Sequence, residues 1–362
     1  SSMATGVTDF IQIDEVRHEI DSTYPNPGTD ASRDLSVPNN GYSHKLIGQT
    51  VEFLCKVWLY RNSQEVIRPS IHSSRELEDD DGENRVRGAR YRKIPEITVS
   101  VFDGKKWEDR ARGPSNQTEW DAMNEDRPDW DQRSPVQWTE HEDLCTIVNQ
   151  FVETGMNTDG VVKAALLNAG WQPPGAIQSW INREAIQNEL LREMEELFSL
   201  LRAQEWGTGE MVFEKPRFGN YRHILPGEGD FIVDDLLVDI KTTERKSFTN
   251  AFWRQLLLYY VLNDVQRELH DSDTVSRSGR EQFNGKYPEI TRVGIYFARH
   301  GELQTVDIGE LIDETERYEE FRAWIVDRAI EENRHAQINY SAIRDVLTEP
   351  YDYERQQSLF DF

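Results

Sequence analysis

Leu225-Pro-Gly-Glu-Gly-Asp-Phe-Ile-Val-Asp-Asp-Leu-Leu-Val-Asp-Ile-Lys-Thr-Thr243 is the stretch on which the fold of this chain turns. Two short apolar segments flank Asp234-Asp235, a pair suited to a tight turn, so the pattern predicts a β-hairpin. Asp230 opens the first strand, while Asp239 and Lys241 end the second. Side chains two apart on a strand share a face, so Asp239 and Lys241 point the same way. Antiparallel pairing through the turn brings Asp230 alongside. Two carboxylates and an ammonium on one patch are costly unless something neutralises the acids. A hard divalent cation does so, taking carboxylate and carbonyl oxygens and keeping several waters. The expectation is therefore a site in which Asp230, Asp239 and the backbone carbonyl of Ile240 hold Mg²⁺, which lowers the pKa of a bound water. Lys241 then orients that water or offsets charge in the transition state.

An isolated acid-x-Lys triplet carries little information in so charged a chain. Asp103-Gly-Lys105 and Glu244-Arg-Lys246 fit it too, but the first sits in a hairpin turn and the second lies beyond the strand. Only Asp239-Ile-Lys241 has a strand-turn-strand context with a preceding acid. The next segment, Phe248 to Leu269, has helical periodicity, and Gln255 and Tyr259 share one face at a spacing of four. A Gln on an otherwise apolar helix must find a partner, which the edge of the sheet can supply. Further strands are predicted at Met211–Pro216, Val293–Phe297 and Leu303–Val306, and a last helix from Ile312 to about Glu332.

As a set, Gly-x-x-Asp (Gly227 to Asp230), Asp-Ile-Lys-Thr (Asp239 to Thr242) and Gln-x-x-x-Tyr (Gln255 to Tyr259) resemble, in order and spacing, the signature of the RecB-like branch of the PD-(D/E)xK nucleases. Val293-Gly-Ile-Tyr-Phe-Ala-Arg-His-Gly-Glu-Leu303 resembles the strand pair that follows the motif helix in that group. The resemblance covers about residues 206–330 and implies an α/β chain. Its core would be restriction-endonuclease-like and α/β/α, with a mixed central sheet and metal-dependent cleavage of DNA. It also implies that Gln255 and Tyr259 orient the metal site or the DNA. Members carry an acid or His on a helix before the core, and Gly48-Gln-Thr-Val-Glu52 looks like that element. Gly48 would allow close packing, and Glu52 would either reach the metal or stand solvated beside Lys56. The two cysteines, Cys55 and Cys145, exclude the four-cysteine iron–sulfur site of some relatives. Cys55 is expected in the core. A rival from another class is a non-catalytic adaptor that keeps the fold to bind DNA or a clamp, but no member of the catalytic set is missing.

Around this core the chain divides into a loosely structured lead-in (1–40), a helix of the core (41–64), an insertion of a strand pair and a helical bundle (65–205), the nuclease core (206–332) and a tail (333–362). Within the insertion, two helices around Trp171-Gln-Pro-Pro-Gly allow a helix-turn-helix, though the scarcity of cations favours a plain bundle. Across its 362 residues the chain has Asp+Glu 66 against Lys+Arg 41, a formal net charge of −25. Such a balance normally argues against nucleic acid. Acid spread along the whole chain, with Arg well in excess of Lys, resembles the composition of haloarchaeal proteins. In about 1 M salt the Debye length falls to about 3 Å, so global repulsion from DNA is screened. No apolar run approaches a membrane span and no leader opens the chain, so a cytoplasmic protein is expected. The ending Gln356-x-x-Leu359-x-x-Phe362, with Phe360, resembles the motif by which archaeal repair and replication proteins dock onto the sliding clamp PCNA. Its aromatic residues otherwise fold back onto their own domain.

Overall fold

Side chains of Leu236–Lys241 alternate between two apolar layers: Leu237 joins one, Leu236 and Val238 the other. A strand covered on both faces needs this pattern. The computed structural model describes residues 5–69, 89–91, 99–102, 107–110, 118, 138–169, 188–218, 225–271 and 288–333. Among these the chain begins with helices α1 (Val7–Phe10), α2 (Asp14–Thr23) and α3 (His44–Asn62). Strands β1 (Glu65–Pro69), β2 (Ala89–Tyr91), β3 (Val99–Phe102) and β4 (Trp107–Arg110) follow, then helices α4 (Trp138–Thr154), α5 (Thr158–Asn168) and α6 (Asn188–Arg202). The remaining strands are β5 (Met211–Glu214), β6 (Arg217–Phe218), β7 (Gly227–Glu228), β8 (Phe231–Val233), β9 (Leu236–Lys241), β10 (Arg292–Phe297) and β11 (Glu302–Asp307). Helix α7 (Asn250–Asp271) precedes β10, while α8 (Ile308–Leu311) and α9 (Thr315–Glu332) close the described chain.

The class is α/β with a mixed sheet, ordered β11-β10-β9-β8-β5-β1-β2 among the described residues. Strands β5, β8 and β9 run antiparallel to their neighbours in turn, α7 crosses over, and β10 returns parallel to β9. One face packs on α7 and α9 through Trp253, Leu257, Phe321 and Ile325. The other packs on α3. Helix α3 is apolar nearly all round, and such a helix must be covered on every side. Its second cover comes from α4, α5 and α6, so the insertion completes the core instead of hanging from it. No described helix is long and apolar enough to cross a membrane.

Three expectations are corrected in detail. The lead-in is built into the fold: Val7, Phe10, Val16, Ile20 and Tyr24 are buried in the α7 layer, at helical spacings that the surrounding Pro and Gly clusters obscure. The segment placed at the start of the insertion adds two strands to the central sheet, β1 parallel to β5 and β2 antiparallel to β1. The last helix forms as predicted but starts at Thr315, because Ile312 and Glu314 lie outside helical dihedrals, and the short α8 precedes it. The strand pair β3–β4 forms as expected. The second half of the helix-turn-helix (176–183), the acidic run 76–81 and the clamp-like residues Gln356, Leu359, Phe360 and Phe362 lie outside the described residues.

Residues 24–43 run as a strap over the end of the sheet. Ala31 N–H donates to the Lys246 carbonyl at 2.8 Å, and Ser36 and Val37 N–H both donate to the Arg299 carbonyl, at 3.0 and 3.1 Å. Arg299 is buried and donates to the carbonyls of Thr242 (2.7 Å) and Val37 (3.1 Å) and to the Glu193 carboxylate (2.8 Å). One guanidinium thus joins the strap, the insertion and the loop that follows β9. The strap is also held by Glu302, which accepts from the N–H groups of Ser32 (2.7 Å) and Arg33 (3.0 Å). Burial works to raise the Glu302 carboxyl, but these donors outweigh it and hold it below the usual range. An acid depressed in the folded state adds stability above its unfolded value, about 4.3, and the gain is lost as pH falls through the lower folded value. Glu302→Gln should cost about 1 kcal/mol at pH 7. Thermal melts from pH 7 down to pH 2.5 should converge for the two proteins; parallel curves would refute this role.

Candidate active site

The register of the β8–β9 hairpin makes the site. Val233 pairs with Leu236, Ile232 with Leu237 and Phe231 with Val238; one more step sets Asp230 opposite Asp239. Cross-strand partners lie on one face. Alternation from Leu237 puts Asp239 and Lys241 on the same face, the one covered by α7. The turn between the strands is fixed by Asp234, whose φ of 53° lies in the left-handed region that Asp tolerates. Its Oδ1 accepts from the N–H groups of Glu210 and Met211.

Asp239 is only 8% exposed, and its Oδ2 makes an ion pair with Lys241 Nζ at 2.7 Å. That contact lacks hydrogen-bond alignment, so the buried Oδ2 has no hydrogen-bond partner among the described residues. The Lys241 ammonium also sits 4.7 Å from the centre of the Phe252 ring. Asp230 Oδ2 accepts from Ile240 N–H at 2.7 Å. The Lys241 carbonyl faces β10, accepting from Ala298 N–H at 2.9 Å, so the Ile240 carbonyl lies on the opposite edge, toward Asp230. Burial, then the Asp239 and Glu52 carboxylates, push Asp230 well above the ordinary carboxylate range; the Ile240 N–H and Lys215 pull the other way. Asp230 keeps some exposed surface, yet protein atoms crowd it. Burial also opposes charge on Lys241, but the two aspartates outweigh it and raise its pKa.

The helix side of the site is a hydrogen-bonded chain. Gln255 Nε2 donates to Tyr259 OH at 2.9 Å, and Tyr259 OH donates to the Glu228 carbonyl at 2.9 Å. The partner of the Gln is thus its own helix neighbour, and it reaches the sheet edge through that phenol. Burial, then Asp239, push the Tyr259 phenol upward, so it stays a neutral donor. Phe218 of β6 stacks on Tyr259 with ring centres 5.0 Å apart. A Cβ at Gly227 would come within 2.8 Å of the Tyr259 ring, which explains a glycine there. Gly48 has no such need: a methyl would meet only Thr242 Oγ1, at 3.8 Å.

Glu52 reaches the same end of the sheet from α3, where it forms an ion pair with Lys215. Lys215 also lies 3.6 Å from Glu228 Oε1. Sequence reasoning missed this lysine, and no local pattern marks it, since its position depends on a left-handed backbone (φ 51°) just after β5. Cys55 is fully buried beside Asp230 and Glu52. Burial above all pushes its thiol well up, so it is a core residue and not a nucleophile.

The donor set suits a hard cation. Asp239 Oδ2 is buried and ion-paired with Lys241 but accepts no hydrogen bond among the described residues, Asp230 is destabilised by its neighbouring carboxylates, and a carbonyl edge adjoins both. Among the described residues no cluster of three or more His, Cys, Asp or Glu is gathered as a ready-made cage; lysines stand among the acids instead. No family model matches the chain, and neither a curated protein nor a solved structure matches it.

Asp230→Asn keeps an acceptor for Ile240 while removing the repulsion with Asp239. In EDTA at pH 7 the variant should gain about 1 kcal/mol of stability. The sign follows from a raised folded pKa: wild-type stability falls as pH rises above the unfolded value, about 3.9, so the gain should vanish below pH 4. Urea unfolding at pH 7 and pH 3.5 checks this, and a destabilised variant at pH 7 would contradict the electrostatics.

Proposed function

We propose that the chain is a Mg²⁺- or Mn²⁺-dependent deoxyribonuclease of the RecB-like PD-(D/E)xK kind, with a restriction-endonuclease-like core. The observation that carries this reading is the convergence of Asp230, Asp239 and Lys241 on one face, under the Gln255–Tyr259 pair. Asp230, Asp239 and the Ile240 carbonyl would hold the ion. When bound, it would supply water activation and neutralisation of phosphate charge.

The protein's own groups have separable tasks. Lys241 stays protonated next to Asp239, so its ammonium is a fixed donor for the attacking water or for a phosphate oxygen. Phe252 packs against that ammonium and limits its rotamers. Gln255 and Tyr259 pin α7 to the Glu228 carbonyl, which keeps the spacing between helix and hairpin constant. Lys215, Arg217 and Lys241 bring cations among the acids at this end of the sheet. Under high salt such local contacts are what remain for holding a phosphate backbone. DNA as substrate fits a cytoplasmic protein working in repair, replication or defence, and the clamp-like tail would recruit it to DNA carrying PCNA.

Asp239→Ala and Lys241→Ala should each lower cleavage of end-labelled DNA at least about 100-fold in Mg²⁺ or Mn²⁺ and molar salt. The two variants should still bind DNA. A panel of single-stranded, double-stranded, flapped and branched substrates measures both properties at once. Undiminished cleavage by Asp239→Ala would remove the enzyme reading and leave a DNA-binding adaptor.

A further inference from the structure

Lys215 is placed with more care than a surface lysine receives. Its backbone sits at φ 51°, a conformation that costs a residue with a Cβ and that a glycine adopts freely. It is held there by its N–H, which donates to the Asp230 carbonyl at 2.9 Å. The neighbouring Gly229 N–H donates to the Pro216 carbonyl at 2.8 Å, closing the same turn from the other side. The consequence is that the ammonium meets Glu52, which arrives from the opposite layer, and lies 3.6 Å from Glu228. The Lys215 side chain is 29% exposed and that of Glu52 21%, so neither is a freely solvated arm.

We propose that Lys215 is a built-in cation that occupies the second metal position of this site, so that the protein takes one divalent ion, on Asp230 and Asp239, and withholds Glu52 from coordination. The inference rests on the nuclease reading above and refines it.

Charge supports this assignment. Glu52, Asp230 and Asp239 are three carboxylates facing two ammonium groups, Lys215 and Lys241, while Glu228 is shared with Arg217. With all its acids ionised, as ligation of a cation requires, the side chains of this group sum to a single negative charge. One divalent ion turns it into a single positive charge, which matches the one negative charge of a phosphodiester. A second ion would have to sit beside the Lys215 ammonium and would be repelled by it. Two-metal sites hold their ions about 3.5–4 Å apart between bridging carboxylates, and here the acid that could complete such a pair is already engaged.

The test is the number of Mn²⁺ ions bound by the full chain, counted by electron paramagnetic resonance or calorimetry without DNA. Wild type should bind one. Lys215→Met, close in length but neutral, should bind two, and Lys215→Met combined with Glu52→Gln should return to one. Lys215→Gly relieves the left-handed backbone, which offsets part of the loss of its ion pair with Glu52, and it should also bind two ions. Two ions on wild type would overturn the proposal, as would one ion on both Lys215 variants, with the nuclease reading intact in either case. No ion on wild type, matched by none on Asp239→Asn, would overturn the metal reading itself and this proposal with it.

Discussion

The pairing of β8 with β9 is the constraint on which the site depends. Six residues in register carry the antiparallel ladder toward the sheet edge, and its next rung joins two aspartates. A slip of one residue would send Asp239 and Lys241 to the opposite face, away from α7 and into the layer of α3. The register is protected by burial on both sides. Ile232 and Leu237 are fully covered by one layer, Phe231, Leu236 and Val238 by the other. The apolar residues thus stabilise an arrangement that the aspartates, left to themselves, would oppose.

That opposition is absorbed by neighbours drawn from every part of the chain. Ile240 N–H holds Asp230, Lys241 holds Asp239 and Lys215 holds Glu52. Arg299 works one layer further out, tying the Thr242 carbonyl at the end of β9 to the strap and to Glu193 of α6. A buried ion pair of this kind adds little net stability when intact but is damaging when halved, since it leaves an uncompensated charge. Its value here is geometric: the insertion cannot shift without moving the residue that follows Lys241.

Sequence made the hairpin and its helix legible because their information is local. Asp230, Asp239 and Lys241 lie within one strand-turn-strand unit, and Gln255 and Tyr259 within one helical turn, so periodicity alone puts them on defined faces. The α/β class and most strands followed from the same patterns. What stayed hidden depends on partners far along the chain. The strap 24–43 is ordered by Glu302, Lys246 and Arg299, none of which its own Pro- and Gly-rich sequence announces. Strand β1 lies in a polar stretch and is a strand because β5 pairs with it. Lys215 precedes Pro216, a position that normally favours extended backbone, so its left-handed turn runs against the local rule. Such a conflict between local preference and observed structure is a mark of a functional site.

Crystals soaked in Mn²⁺ and measured at the manganese absorption edge address the central claim most directly. An anomalous peak within coordination distance of both Asp230 and Asp239 is the expected result, absent from Asp239→Asn crystals treated alike. A map with no peak there, or with manganese bound only elsewhere on this acidic surface, would contradict the account.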